Sequence, residues 1–329
     1  MCALLWLVAP PIWGQDFAAS AFVMRNYSPF SALIGVPGRW PDGTNTAAEL
    51  SWNISNHSLA AVGTSESLLL DGETHTLTAR MQHRFFKRFE AGVEIPWIHH
   101  SGGFLDGAID AWHEAFGLSE GIRPNMPNDD LRYLYTANNG IESVRFEDSS
   151  SGFGDLRLAA AFDLGSIDAA VDAAYLSRMP VRLTLHAKAP TGNVEKLTGS
   201  GHADFAAGLG VRSPPGTGSR FHWWLDAGIV WPGAVDIAGL DTKAQVFYYD
   251  AAIAWRALGA LDVLLEIAGN SALYRSELES LGEPVAQLAF GGLWHTGERF
   301  GLRFGLFEDI RTHSAPDFGL ELTLVIKGH

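Results

Sequence analysis

Cysteine is nearly absent from this chain: Cys2 is the one such residue in 329. Its scarcity excludes a disulfide framework and a thiolate metal site, and removal of a leader would also remove any cysteine nucleophile. Long apolar runs are missing as well. No uninterrupted apolar stretch of about 18 residues follows the N-terminus, and mean hydropathy is only +0.05, so a bundle of membrane-spanning helices is not encoded. Basic charge is scarce: 23 Lys and Arg face 37 Asp and Glu, a formal net charge of -14. A surface of that sign does not suit phosphate binding, so nucleic acid is not an expected partner. The GVPG, GSG and GLG stretches lack the strand-loop-helix context of a phosphate cradle. No linker or composition shift divides the chain.

What is present is alternation. In FEAGVEIPW, Phe89, Ala91, Val93, Ile95 and Trp97 fall on one face, with Glu90, Gly92 and Glu94 on the other. A period of two means strand. VRLTLHAK opposes Val181, Leu183, Leu185 and Ala187 to Arg182, Thr184, His186 and Lys188, and DFGLELTLVIK opposes Phe318, Leu320, Leu322, Leu324 and Ile326 to Glu321, Thr323 and Lys327. About twelve such strands recur, a number within the range of outer-membrane barrels.

Alternation alone does not say which face is wet. Strand number does: about twelve strands enclose a lumen too wide for wall side chains to fill, so a polar interior and an apolar exterior are expected. The fold class is therefore an all-β, transmembrane, antiparallel up-and-down barrel. Arg80, Arg84, Glu94, Arg157, Arg182, Lys188, Asp204, Asp226, Asp250, Glu266 and Arg303 are the charged residues expected to face the lumen. Large rings end the apolar faces at Phe89, Trp97, Phe221, Trp231, Phe247, Trp255, Trp294 and Phe300, where aromatic girdles meet the two lipid-water interfaces. Connection lengths point the same way. Tight links near 86–88, 258–260 and 297–298 interleave with longer ones at 191–201, 232–244, 271–283 and 311–316, as short periplasmic turns interleave with long external loops. SIDAAVDAAYLSR, between Gly165 and Pro180, reads equally as strand extension, turn or short helix.

Residues 1–14, MCALLWLVAPPIWG, read as a signal peptide whose basic n-region is truncated, and residues 15–329 as a single barrel. One long insertion interrupts it at 101–151. Phe104, Leu105, Ala108, Ile109, Trp112 and Phe116 mark an amphipathic helix there. Three placements are open to that helix: on the membrane surface, in the lumen as a plug, or over the rim as a lid; plug or lid is the expectation. The insertion holds nine acidic residues against three basic ones, a solvated acidic loop. At its start, His99 and Ser101 form a His-x-Ser pair on the lipid-facing parity, the arrangement that a lipid-modifying hydrolase of the outer membrane would use. No third residue to orient the imidazole can be named. His99 and His100 point to opposite faces of a strand and cannot share an ion, so no metal and no cofactor is expected.

At RNYSPFSALIGVPG, EIPWIHHSGGFLDGAIDAWHEAFGL and SGFGDLRL, the chain resembles the bacterial outer-membrane family catalogued as domain of unknown function 3187. Lys188 to Gly192, KAPTG, is a looser feature shared in style with other barrel families. The likeness implies a Gram-negative outer-membrane barrel without an established activity. Outer-membrane lipid, lipopolysaccharide and the barrel-assembly machinery are then the expected partners. A passive channel or small-solute uptake pore is the leading functional expectation, ahead of the His99/Ser101 hydrolase and of a non-transporting structural or envelope-interaction barrel.

Overall fold

The computed structural model describes residues 21–40, 46–117, 123–137, 141–167, 178–214, 219–297, 299–310, 316 and 318–328. The signal peptide expected at 1–14, and most of the ambiguous stretch at 165–180, lie outside the described residues.

Fifteen strands form one antiparallel sheet. Chain order is β1 (Thr46–Val62), β2 (Ser67–Phe86), β3 (Phe89–Ser101), helix α1 (Asp106–Phe116), β4 (Arg132–Ala137), β5 (Ile141–Phe146), β6 (Ser150–Phe153), β7 (Leu156–Ile167), β8 (Met179–Ala189), β9 (Asp204–Arg212), β10 (Phe221–Trp231), β11 (Val246–Leu258), β12 (Leu261–Asn270), β13 (Val285–His295), β14 (Phe300–Asp309) and β15 (Phe318–Lys327). Twelve of these close a barrel. β1, β2 and β3 pair in sequence, β3 pairs with β7, and pairing then runs to β15, which returns to β1 from Ala47↔Lys327 to Asn56↔Phe318. Closure leaves no sheet edge along the wall, a requirement for strands that meet lipid. The remaining three strands lie at the long-loop end: β4 adds to the first residues of β2, β5 adds to β4, and β6 pairs with the end of β3.

The parity read from the sequence is the parity of the wall. Outward residues Leu50, Met81, Ile95, Leu209, Phe290 and Leu322 are exposed, while their polar neighbours Glu49, Arg80, Glu94 and Glu321 are buried. Because the exposed face is the apolar one, the barrel is built for lipid outside. Aromatic rings gather at both ends of this belt. Phe221 and Trp255 stack at the short-turn end with centroids 6.2 Å apart, Phe89 meets Phe162 there at 4.9 Å, and Trp294 and Phe300 flank the β13–β14 turn; Trp97, Trp231 and Phe247 stand at the long-loop end.

The helix expected as plug or lid lies elsewhere. Leu105 and Ile109 are buried against Ile54 and Phe318, with Leu306 and Leu320 alongside, all on the outward parity. α1 therefore packs against the outer wall near the long-loop end. Phe104 is exposed, and the side chains of Trp112 and Phe116 lie outside the described residues. The reason is polar as well as apolar: outward-facing Glu73 caps the start of the helix by accepting from the Phe104 and Leu105 amides, at 3.1 and 2.6 Å. Asp106 then bridges Asn56 at 2.9 Å and Arg123 at 3.1 Å. Apolar contact and a polar cluster hold α1 outside, and residues 21–40 occupy the lumen.

Candidate functional site

Residues 21–40, AFVMRNYSPFSALIGVPGRW, show no period of two and run inside the barrel as an ascending limb, a bend and a descending limb. The first limb is apolar. Phe22 and Met24 sit among inward Trp224, Leu264, Ala289, Leu293, Phe307 and Val325, and Phe22 meets Phe307 edge-on at 5.7 Å. Its backbone is held by the wall: the Phe22 amide donates to Glu266 at 2.8 Å, and Val23 to Glu321 at 3.4 Å. The bend, with a 3-10 turn at Ser31–Leu33, places Phe30, Leu33 and Ile34 beneath the long loops.

The descending limb carries the rest of the anchoring. Gly35 donates to Asp204 at 2.6 Å, Lys188 donates to the Leu33 carbonyl at 2.5 Å, and Arg157 donates to Val36 at 3.0 Å. Arg80 donates to the Arg39 carbonyl at 2.8 Å and lies over the Trp40 ring, 4.9 Å from its centroid. Two guanidiniums of the segment complete the network. Arg25 forks onto Glu94, and Arg39 pairs with both Asp226 and Asp250. Buried ion pairs need good geometry to offset their desolvation, and each guanidinium here meets its carboxylates directly.

The wall residues expected to line the lumen take their places around this segment. Arg80, Glu94, Arg157, Lys188, Asp204, Asp226, Asp250 and Glu266 touch it through the contacts above or belong to a pair that does. Arg303 pairs with Glu321 at 2.5 Å and Glu49 at 3.2 Å within the wall. Arg84 and Arg182 share Glu90 at the short-turn end. The sequence reading found these charges but not their partner, the segment itself. A signal was present in the inward glycines. A Cβ at Gly92 would overlap Trp40, and one at Gly305 would overlap Phe22; such bare positions on a large-bore wall mark where another chain segment approaches. Gly92→Val is accordingly expected to destabilise docking of the segment by about 1–3 kcal/mol, seen as faster proteolysis within residues 35–40 of folded protein.

The long-loop end carries an apolar core. Phe30, Leu33 and Ile34 pack with Leu68, Leu70, Tyr133 and Tyr135 of the β2–β4 ledge and with Val235, Ile237, Leu240, Leu273, Leu278 and Leu281 of the loops. Tyr274 donates to the Phe30 carbonyl at 2.7 Å, and burial pushes its phenol above the usual range, so it remains a donor. The Tyr135 hydroxyl lies 3.0 Å from the Gly239 carbonyl and 3.2 Å from the Glu66 carboxylate, which share its one hydrogen; burial and the Glu66 carboxylate push its phenol up likewise.

A reciprocal latch ties the β1–β2 turn to the β12–β13 loop. Glu277 accepts from the Ser65 and Glu66 amides, and Glu66 accepts from Ser276 and from the Glu277 amide at 3.2 Å. The Ser65 and Thr64 amides draw the Glu277 pKa from 4.5 to about 2. A depressed carboxylate stabilises above its unfolded value and loses that contribution as pH falls through the folded one. The latch is thus expected to be intact from neutral pH down to about 4.5 and to loosen toward pH 2. Hydrogen exchange of residues 63–66 checks this: Glu277→Gln should make exchange fast at pH 7 and remove its acid dependence.

His99 and Ser101 lie on the outward parity, as expected. The His99 ring stacks on Trp97 at 6.0 Å, stands 6.0 Å from His75, and its Nδ1 lies 3.0 Å from the Ser150 carbonyl. Among the described residues, no group of three or more His, Cys, Asp or Glu side chains is placed to hold a metal ion. Among the described residues, cavities remain beside the segment, two of which bear on the bore. One of about 60 Å³, toward the short-turn end, is bounded by Arg39, Trp40, Arg182, Trp224 and Tyr248; one of about 40 Å³ is bounded by Arg25, Tyr27, Thr76, Thr78 and Arg157.

Among solved structures, the chain is similar to the COG4313 outer membrane channel from Pseudomonas putida F1, at 9% identity and a TM-score of 0.53, covering 87% of this chain and 96% of that one. The Ralstonia pickettii toluene transporter TbuX aligns at 10% identity and a TM-score of 0.41, covering 95% and 96%. At such identity the first likeness concerns the fold. No curated protein matches the chain in sequence. A family model does match, over residues 4–327, and the chain belongs to that family, DUF3187, described as a protein of unknown function.

Proposed function

We propose that the protein is a passive channel for small solutes in the outer membrane of a Gram-negative bacterium, its bore narrowed by its own residues 21–40. One observation carries this reading. A closed twelve-stranded wall turns its charges inward, and those charges hold residues 21–40, a segment that is not part of the wall. A bore filled by wall side chains alone would be a structural core; a bore filled by a docked segment is a conduit with an adjustable constriction. The likeness to an outer membrane channel from Pseudomonas putida F1 agrees with it.

In this reading the long loops face outward and the short turns face the periplasm. The apolar belt meets lipid and lipopolysaccharide, and the barrel-assembly machinery inserts the chain. No catalysis is assigned. The His99 Nδ1 lies 3.0 Å from the Ser150 carbonyl, and Ser101→Ala is expected to leave transport unchanged. Purified full-length protein in planar bilayers is expected to give small, discrete conductance steps. Silence in both the wild type and a variant with a loosened segment would contradict the channel and favour a non-transporting envelope barrel, whose apolar long-loop core would then be its defining feature.

A further inference from the structure

The charges around the 40 Å³ cavity are engaged. Glu94 holds Arg25 and Arg80, the latter at 2.8 Å; Asp155 holds Lys188 at 3.1 Å; and Arg157 donates to the segment's carbonyls. The neighbouring strip of wall is different. Inward positions of β1 and β2 include Ser51, Asn53, Ser55, Thr76 and Thr78, joined across the seam by Thr323 of β15, which donates to Glu321 at 2.8 Å and accepts from Ser51 at 2.9 Å. The hydroxyl residues and Asn53 are uncharged and buried.

Asn53 stands out within the strip. It is 2% exposed, sits opposite Thr76 in register, and neither its Oδ1 nor its Nδ2 has a hydrogen-bond partner among the described residues. A buried amide with both ends free is strongly disfavoured unless polar molecules visit it. Thr76 and Thr78 line the cavity, whose volume corresponds to roughly three waters.

We propose that this neutral strip is the contact surface of the conduit, and that the solute it passes is a small, uncharged, polyhydroxylated molecule. The proposal rests on the channel reading above and names its substrate class. Hydroxyls and a carboxamide both donate and accept, so they can exchange partners with successive hydroxyls of such a solute as they do with water. An ion would have to shed its hydration beside a strip of hydroxyls and an amide whose charged neighbours are already paired. The strip is buried while the segment is docked, so in this scheme the segment moves off it as solute passes and forms the facing wall.

Proteoliposomes carrying the full-length protein test it by osmotic swelling in isosmotic arabitol and in sodium gluconate, a charged solute of similar size. Wild type is expected to swell several-fold faster in arabitol. Asn53→Leu and Thr78→Val should each slow arabitol uptake by about threefold to tenfold, the factor for a lost hydrogen bond. Heat-dependent gel mobility must stay that of the folded barrel. Equal rates for the two solutes, or rates unchanged in both folded variants, would overturn the substrate class and leave the channel standing. Uptake of neither solute by wild type or by the loosened Arg39→Ala protein would overturn the channel itself.

Discussion

Replacing Arg39 with alanine is expected to weaken docking of the descending limb by about 3–5 kcal/mol and to raise single-channel conductance. Asp226 and Asp250 face each other across β10 and β11, and Arg39 is the cation placed on both. Glu266, on the next strand, adds a third carboxylate to the same region; burial and the neighbouring Asp250 set these groups against one another without a guanidinium between them. Arg39 also lies over the Trp224 ring, 5.7 Å from its centroid, so charge and packing are lost together. Arg39→Lys keeps the charge but not the planar fork, and should fall between wild type and alanine. Planar-bilayer recording and proteolysis of residues 35–40 measure the two consequences. Because the pair is largely buried, the difference should persist in high salt.

The second large effect belongs to Glu94. Its side chain is 1% exposed and meets Arg25, Arg80 and, at 3.7 Å, Arg157. Glu94→Gln preserves shape but leaves guanidinium groups of the plug and of two strands facing one another. Breaking a buried pair by removing one partner costs about 3–5 kcal/mol, and here more than one pair is broken. The heat-dependent gel transition should move to markedly lower temperature, with the ascending limb released. Arg145→Ala is the contrast. Arg145 and Glu147 pair at 3.0 Å with side chains 59% and 39% exposed, so that loss should stay within about 1 kcal/mol.

The wall was legible in the sequence because period-two alternation is a property of neighbouring residues. Phe89 through Trp97 announce both the strand and its lipid face without any knowledge of the partner strands. Aromatic ends and alternating connection lengths are equally local. The contents of the bore were not legible. Residues 21–40 have no regular period, and their order comes from contacts distant in the chain, such as Phe22 with Glu266 and Gly35 with Asp204. α1 misled for the complementary reason. Its apolar stripe at Leu105 and Ile109 states that the helix packs against something, and the periodicity cannot say whether that surface is the inside or the outside of the barrel. Glu73 decides the matter. It is an acidic residue on an otherwise lipid-facing parity, and in the fold it caps the helix. Such a residue out of pattern was the available sign that something covers the outer wall at that point.

The account stands on residues 21–40 lying in the bore of the folded barrel, and a single engineered disulfide tests that. A Cβ at Gly35 would lie 3.1 Å from that of Asp204, a slight shift from the ~3.5–4.5 Å of a disulfide, and Lys188 would retain Asp155 at 3.1 Å. In a Cys2→Ser background, Gly35→Cys/Asp204→Cys protein is expected to oxidise nearly completely in the membrane while keeping the gel mobility of the intact barrel. Folded barrel whose two thiols stay reduced under the same oxidant would place the segment outside the bore and contradict the account.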